Sequence, residues 1–238
     1  MPSLEGYKRS LDYSYAPGLF PCMEAVTKKK EWVRRVLISS SAAGEGIEKL
    51  LKICDKNRIR VEQADKALSR ISGKENCFAA AVFAKQQSDL QPGRHIVLHH
   101  ISDAGNLGTI LRAALGFGYK DIAIIKPAVD YFDPHTVRAS MGALFSLRIR
   151  EYDDFDDYRN EFPDQYLYPF MLQGSIPLDD AVKQKKTPYS IIVGNEGSGL
   201  PLSFMELGTP VRIRQSNEID SLNLSVAASV RMYEFSKD

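Results

Sequence analysis

The sequence has little cysteine and no long apolar run. Its three cysteines in 238 residues, Cys22, Cys54 and Cys77, form no Cys-x-x-Cys pair. A disulfide framework and a cysteine-rich zinc site are therefore excluded, and we expect a reduced, cytoplasmic setting and no metal. The longest nearly apolar stretch, residues 77–84, is far shorter than the roughly 20 residues that cross a bilayer, so we expect no membrane partner. Residues 1–10 lack an apolar core, so we expect no secretory signal.

Net charge is also nearly absent, but its distribution is uneven. The formal charge is +1, yet residues 1–94 carry 17 Lys and Arg against 11 Asp and Glu, whereas residues 95–238 carry 14 against 19. A basic front part beside an acidic back part favours a partner that carries phosphates. Solvated faces of opposite charge are the alternative interpretation.

Hydrophobic periodicity divides the chain into two α/β regions. Residues 1–17 are predicted to be a loose leader, residues 18–84 a small α/β/α domain, residues 85–94 a polar linker and residues 95–238 a larger domain. Strands alternate with helices in the larger domain, which is typical of a mostly parallel sheet covered by helices. Asp133-Pro134 is predicted to begin a helix that extends to about Leu144.

Unusual residues follow several predicted strands of the larger domain. In such sheets, ligands bind outside the carboxyl ends of the strands. S-D-A-G-N-L-G (residues 102–108) precedes a helix for which Asn106 is a candidate N-cap, I-I-V-G-N-E-G-S-G-L-P (residues 191–201) is rich in glycine, and D-S-L-N-L-S-V-A-A-S (residues 220–229) begins the last helix. The glycine spacing matches neither a P-loop nor G-x-G-x-x-G, which disfavours a nucleotide-dependent oxidoreductase. Capped helices and glycine turns without ligands are the alternative.

The order of these segments is more specific than any one of them. Asn106 to Gly118 (N-L-G-T-I-L-R-A-A-L-G-F-G), Ile192 to Leu200 (I-V-G-N-E-G-S-G-L) and Ser221 to Ser229 (S-L-N-L-S-V-A-A-S) resemble the three motifs of the SpoU, or TrmH-like, RNA methyltransferases of the SPOUT superfamily. The resemblance implies a deep trefoil knot in the larger domain, S-adenosylmethionine as methyl donor and a homodimer that completes the active site. It also implies 2′-O-methylation of ribose in RNA, with ribosomal RNA favoured over transfer RNA.

The resemblance also assigns residues by position. Those matching the family's catalytic motif positions are Asn106, Arg112, Glu196 and Asn223, and those matching its donor-binding positions are Gly194, Ile213 and Leu222, with Gly174 in an adjoining loop. Arg112 is expected to orient an RNA phosphate and to stabilise the developing alkoxide, because a permanently charged arginine is a poor general base. Arg214 and Asn217 stand where a proline and a glycine are frequent in the family. Asn217 can substitute for the glycine because asparagine tolerates positive φ, whereas Arg214 is expected to alter the edge of the adenine pocket or the affinity for the donor.

The front region resembles, more loosely, the RNA-binding domain of many SpoU enzymes. Its most similar stretch is Gly18 to Val26, G-L-F-P-C-M-E-A-V. The basic residues that could follow an RNA backbone are Lys28, Lys29, Lys30, Arg34 and Arg35. A solvated basic face is the alternative for this run.

Other functions stay open at this point. A non-catalytic RNA-binding or ribosome-assembly protein could retain the fold, and Arg214 is the feature that favours it. A tRNA-directed or a drug-resistance ribose methyltransferase would share the same motifs.

Overall fold

The fold is seen in a computed structural model, which describes residues 5–72, 77–216, 218–219 and 221–237. The chain forms two compact units, one of residues 1–86 with 130–146 and the other of residues 87–129 with 147–238. The first division, between Gln86 and Gln87, lies within the predicted linker 85–94. The return of residues 130–146 to the first unit was not predicted. Every described helix is too short or too polar to cross a bilayer.

The strands and helices have the following bounds. The strands are β1 Tyr13–Pro17, β2 Val33–Ile38, β3 Val61–Gln63, β4 Ala79–Ala84, β5 Arg94–His99, β6 Asp121–Ile125, β7 Arg148–Tyr152, β8 Tyr166–Pro169, β9 Ile176–Pro177, β10 Tyr189–Val193 and β11 Val211–Arg212. The α-helices are α1 Leu19–Lys28, α2 Glu45–Lys56, α3 Asp65–Ser72, α4 Ala104–Gly116, α5 Pro134–Ala139, α6 Phe155–Glu161, α7 Leu178–Lys183 and α8 Leu224–Ser236. Short 3₁₀ turns occupy Lys30–Trp32, Ala143–Ser146 and Leu202–Glu206.

The second unit contains the predicted parallel sheet. Its five strands run in the order β7-β6-β5-β10-β8, and all neighbours are parallel. Every residue of β6 and β10 is buried, as expected for strands covered on both faces. Helix α4 buries the predicted apolar face, Leu107, Ile110, Leu111 and Ala114. The α/β class and the mostly parallel sheet are therefore confirmed.

The first unit is a small mixed α/β unit. Its four-stranded sheet has the order β1-β4-β2-β3, with β1 and β2 antiparallel to β4 and β3 parallel to β2. The prediction that residues 1–17 form an unstructured leader is wrong for Tyr13–Pro17, which pairs with β4 along its whole length. The reason is tertiary, since the partner strand lies more than 60 residues away in the sequence and leaves no local signal.

Residues 130–146 pack into the first unit through polar and aromatic contacts. The Asp130 carboxylate accepts a hydrogen bond from the Tyr7 hydroxyl and lies 3.3 Å from the Lys85 ammonium. Phe145 packs edge-on against Phe83, with 4.9 Å between the ring centroids. Residues 130–146 therefore belong to the first unit, although the sequence pattern assigned them to the larger domain.

The helix that begins at Asp133-Pro134 is shorter than predicted. Asp133 caps it as expected, because its carboxylate accepts a hydrogen bond of 2.8 Å from the His135 amide. The helix ends at Ala139, however, and not near Leu144, because Met141 and Gly142 take positive φ values of 53° and 81°. A Cβ on Gly142 would lie 3.0 Å from the Pro21 Cα, so the turn also allows close approach to α1.

His99, at the end of β5, is a buried histidine without a polar partner for one ring nitrogen. Its ring stacks on His100 and meets the edge of Phe204, with centroid distances of 3.7 and 5.1 Å. Its Nδ1 is buried and forms no hydrogen bond within the described part of the chain. Burial first, and the neighbouring His100 second, lower the pKa of His99 to about 4.

We expect His99 to make the protein acid-sensitive. Between about pH 6.5 and pH 4 the unfolded chain binds a proton at this site and the folded chain does not, so stability falls as the pH falls. The loss is on the order of 2–3 kcal/mol by pH 4.5. Urea unfolding at pH 7 and pH 4.5 should therefore show a smaller pH dependence for His99→Phe than for the wild type. The exposed His135 gives the control, since His135→Phe should behave like the wild type.

Candidate functional site

Two loops meet at the carboxyl ends of β5 and β10. These strands are parallel neighbours, with Leu98 opposite Val193. The loops that follow them therefore leave the same edge of the sheet. The Glu196 carboxylate accepts hydrogen bonds from the Ser102 hydroxyl at 2.8 Å and from the Ser102 and Asp103 amides at 3.2 Å each. Glu196 thus ties the glycine-rich loop to the start of α4.

These hydrogen bonds keep Glu196 ionised. Partial burial acts to raise the pKa of this carboxyl, but hydrogen bonds from its own amide, from Ser102 and from the Asp103 amide outweigh burial and hold the pKa below its ordinary value. An ionised carboxylate only accepts hydrogen bonds. Glu196 is therefore a fixed negative charge at neutral pH and not a proton donor.

Asn106 and Asn223 extend the hydrogen-bonded group from α4 to α8. The Asn106 side-chain amide points at Glu196, with 3.5 Å between Nδ2 and Oε1, and the Asn223 amide donates to Asn106 Oδ1 at 3.2 Å. Asn223 is also the N-cap of α8, because its Oδ1 accepts hydrogen bonds from the amides of Ser225 and Val226. Three of the four predicted catalytic residues are thus joined in one chain of contacts.

The predicted N-cap role of Asn106 is wrong. Asp103 caps α4, since its carboxylate accepts a hydrogen bond of 2.7 Å from the Asn106 amide. The helix therefore begins at Ala104, three residues earlier than predicted. The earlier start leaves the Asn106 side chain available for Glu196 and Asn223.

Arg112 is not part of this group. It lies on α4, one and a half turns beyond Asn106, where its side chain is exposed. Within the described residues it forms no hydrogen bond or ion pair with Asn106, Glu196 or Asn223. An exposed, unpaired guanidinium can still bind an external phosphate through two parallel hydrogen bonds.

A cavity of about 610 Å³ lies beside this group. The loop of residues 194–201 forms one wall, and Ile213, Leu222, Leu224 and Ala227 contribute to the others. A Cβ on Gly194 would lie 2.4 Å from the carbonyl carbon of Gly199, so only glycine allows the loop to close here. Within the described ranges, no group of three or more His, Cys, Asp or Glu side chains could hold a metal ion.

Three of the four predicted donor-binding residues line the cavity. Gly194, Ile213 and Leu222 line the cavity, whereas Gly174 is not among the lining residues. Gly174 has a φ of +61°, a conformation that favours glycine, and it follows Gln173, which does line the cavity. Arg214 is exposed, with its guanidinium 4.0 Å from the Asp180 carboxylate, and Asn217 lies outside the described residues.

The basic run of the first unit is partly used within the fold. Arg34 pairs with Asp12 at 2.7 Å and Arg35 with Glu62 at 3.2 Å. The Lys29 ammonium lies 4.8 Å from the centroid of the Trp32 ring, and Lys30 donates a hydrogen bond of 3.3 Å to the Asn57 side chain. Lys28 is exposed at the end of α1. These pairs explain part of the basic excess without a ligand.

Sequence reasoning missed three residues of the site. Ser102 holds Glu196, and Asn195 closes the glycine-rich loop by donating to the His100 carbonyl at 2.8 Å and accepting from the Gly197 amide at 2.9 Å. Both lie inside segments that the sequence singled out. Arg231 also lines the cavity. The sequence feature that could have identified Arg231 is a charged residue on the apolar, small-residue face of the last helix.

Comparison with known proteins gives matches along most of the chain. Residues 93–233 match the SpoU rRNA Methylase family, and residues 15–88 match the family described as RNA 2′-O ribose methyltransferase substrate binding. The crystal structure of the AdoMet-bound rRNA methyltransferase from Sinorhizobium meliloti superposes with a TM-score of 0.80 and 25% identity, covering 94% of this chain and 87% of that one.

Two curated relatives are similar over part of their length. A protein of Synechocystis sp. described as an uncharacterized tRNA/rRNA methyltransferase is 32% identical over 143 residues, which are 58% of this chain and 51% of that protein. The 23S rRNA (guanosine(2553)-2′-O)-methyltransferase of Bacillus subtilis is 27% identical over 158 residues, which are 65% of this chain and 62% of that protein. The chain therefore spans between half and two thirds of these relatives.

Proposed function

Because the chain belongs to the SpoU rRNA methylase family, we propose that it transfers a methyl group from S-adenosylmethionine to a ribose 2′-hydroxyl of RNA. The observation that carries the proposal is the cavity next to the Glu196–Asn106–Asn223 contacts. Ribosomal RNA is the proposed substrate, since the Sinorhizobium and Bacillus relatives are described as rRNA methyltransferases.

The cavity fits a ligand in which a nucleoside is joined to an amino acid, as in S-adenosylmethionine. Apolar residues such as Ile213 and Leu222 can cover a purine, and the backbone of the 194–201 loop can offer hydrogen bonds to polar edges. Gly194 allows that loop to fold back on itself. S-adenosylmethionine would supply an electrophilic methyl group there. No metal is part of this proposal.

In the proposed mechanism, the chain acts mainly by positioning. Glu196 accepts a hydrogen bond from the Asn106 side-chain amide and so holds that side chain in place. Asn106 and Asn223 present their amide groups beside the cavity, where these groups can hold the ribose. Arg112 binds an RNA phosphate and stabilises negative charge that develops on the ribose oxygen. Holding the oxygen in line with the methyl group provides much of the acceleration.

Within the described residues, Arg112 forms no hydrogen bond or ion pair with Asn106, Glu196 or Asn223, which supports the proposal of a homodimer in which a second copy supplies Arg112. An apolar stripe is exposed on α8, where Val226, Val230 and Tyr233 lie at helical spacing and are 51%, 37% and 50% exposed. Met232 and Phe235, on the same helix, are fully buried within the chain and are not part of this stripe. The proposed interface is therefore the Val226–Val230–Tyr233 stripe.

We expect light scattering at micromolar concentration to give twice the chain mass. Obligate dimers bury roughly 2,000 Å² or more, and a charge at the centre of such an interface is strongly unfavourable. Val230→Asp should therefore give a monomer. The Phe78→Asp variant, in which a charged residue replaces an exposed aromatic of the first unit, should stay dimeric. A monomeric wild type would contradict the dimer.

The knot is also a proposal. Its support is the path of residues 167–176 beside residues 209–211, where the Thr209 amide donates to the Leu167 carbonyl and β9 pairs with β11. Tracing this path in a crystal structure of the chain would check it.

RNA delivery is proposed for the first unit, which matches the substrate-binding family. Since Arg34 and Arg35 are paired within the fold, Lys28, Lys29 and Lys30 are the better candidates for phosphate contacts.

The function is tested by mapping ribose methylation in ribosomal and transfer RNA from wild-type and deletion cells. Loss of one ribose methyl group from ribosomal RNA, restored by the purified protein with S-adenosylmethionine, is the expected result. Identical maps, together with no donor binding by calorimetry, would favour a non-catalytic RNA-binding protein. Loss of a methyl group from transfer RNA alone would overturn the choice of substrate and leave the reaction intact.

A further inference from the structure

A half-buried arginine lies in the wall of the cavity. Arg231 is two turns into α8, on the same face as Leu224 and Ala227, and all three line the cavity. Its guanidinium lies over the Phe170 ring, 4.3 Å from the centroid. Its Nε is buried and donates to no acceptor in the described part of the chain.

The charge of Arg231 has no counter-charge within the described residues. Burial lowers the pKa of the guanidinium to about 9, so the side chain is still a cation at neutral pH. The face of Phe170 offsets only part of the cost of burying this charge. A half-buried cation without a counter-charge among the described residues is unfavourable, and an anionic group of a ligand would relieve that cost.

The charges in the cavity wall show which part of a donor would meet this cation. Glu196 and Arg231 are the charged side chains among the described lining residues, and they have opposite signs. S-adenosylmethionine carries two cationic groups, an ammonium and a sulfonium, and a single carboxylate. The carboxylate complements Arg231, and the cationic groups complement Glu196.

We propose that Arg231 binds the carboxylate of the methyl donor and so selects donors that keep this group. This inference rests on the proposed function, because it takes the cavity to be the donor site. It adds an electrostatic anchor on α8 to the backbone contacts of the glycine-rich loop. It also sets the direction of the donor, with its carboxylate toward Arg231 and Phe170.

The test compares two ligands that differ only in the carboxylate. Calorimetry would measure S-adenosylhomocysteine and its decarboxylated analogue against the full-length wild type, Arg231→Met and Arg231→Lys. We expect the wild type to prefer S-adenosylhomocysteine by about tenfold or more. Arg231→Met should lose this preference through weaker binding of S-adenosylhomocysteine alone. Arg231→Lys, which keeps the charge but not the planar guanidinium, should retain an intermediate preference.

The other outcomes separate this inference from the proposed function. Equal weakening of both ligands in Arg231→Met would mean a packing role and would overturn the inference, as would a wild type that binds both ligands equally. A wild type that binds neither ligand would overturn both the inference and the proposed function. Near-ultraviolet circular dichroism would report folding of each variant. If Arg231→Met does not fold, an unchanged preference in Arg231→Lys would count against the inference and a reduced one would support it.

Discussion

Arg112→Ala should lower the rate of methyl transfer by about a hundredfold or more, comparable to the loss of one oxyanion-stabilising donor. Donor affinity should be unchanged, because Arg112 is exposed on α4 and does not line the cavity. RNA affinity should fall only slightly, since the proposed contact strengthens as charge develops on the ribose oxygen. Steady-state kinetics of transfer to RNA, which gives KM and kcat separately, would show the loss mainly in kcat.

Two further variants sharpen this test. Arg112→Lys keeps the charge but loses the two parallel hydrogen bonds to a phosphate, so its rate should lie well below that of the wild type. Arg159→Ala removes an exposed arginine on α6 and should have no effect. A near-wild-type rate for Arg112→Ala would mean that the proposed active site is wrong, even though the family and the fold are not in doubt.

Substitution of Gly194 should strongly weaken donor binding, and more so the larger the new side chain. A Cβ there would lie 2.4 Å from the Gly199 carbonyl carbon and 2.6 Å from the Leu200 nitrogen, both of them backbone atoms that cannot turn away. The loop of residues 194–201 must therefore open, and the cavity loses one wall. We expect Gly194→Ala to weaken binding of S-adenosylhomocysteine by about a hundredfold, as for a site that loses two or more hydrogen bonds, and Gly194→Val to eliminate it.

The same loop provides a matched control. A Cβ on Gly197 would lie 3.6 Å from the nearest atom, Asn195 Oδ1, which is an ordinary contact. Gly197→Ala should therefore change donor affinity by less than about threefold. Calorimetry on both alanine variants, with circular dichroism to establish folding, separates loop closure from a general effect of losing a glycine. Wild-type affinity in a folded Gly194→Ala protein would refute the placement of the donor.

Local features of the fold could be predicted because their causes lie within a few residues. The apolar spacing of Leu107, Ile110 and Leu111 places one face of α4 in the core, and the Asp133 cap fixes the start of α5. The prediction of Asn106 as the N-cap was wrong because two side chains in this segment, Asp103 and Asn106, can accept a capping hydrogen bond, and the structure uses Asp103. The end of α5 depended on a turn at Met141 and Gly142 that accommodates α1.

The sequence by itself determined which residue types are available for chemistry: the glycine-rich loop, the asparagines, Glu196 and the exposed Arg112. Only the tertiary structure decided which of them meet. Ser102 and Glu196 are 94 residues apart, and Asn106 and Asn223 are 117 apart, so their contacts depend on the parallel pairing of β5 with β10 and on the position of α8. The same holds for β1, for residues 130–146 and for Arg231. Side-chain hydrogen bonds act over about 3 Å, and no local pattern records which distant strands and helices will bring two side chains within that distance.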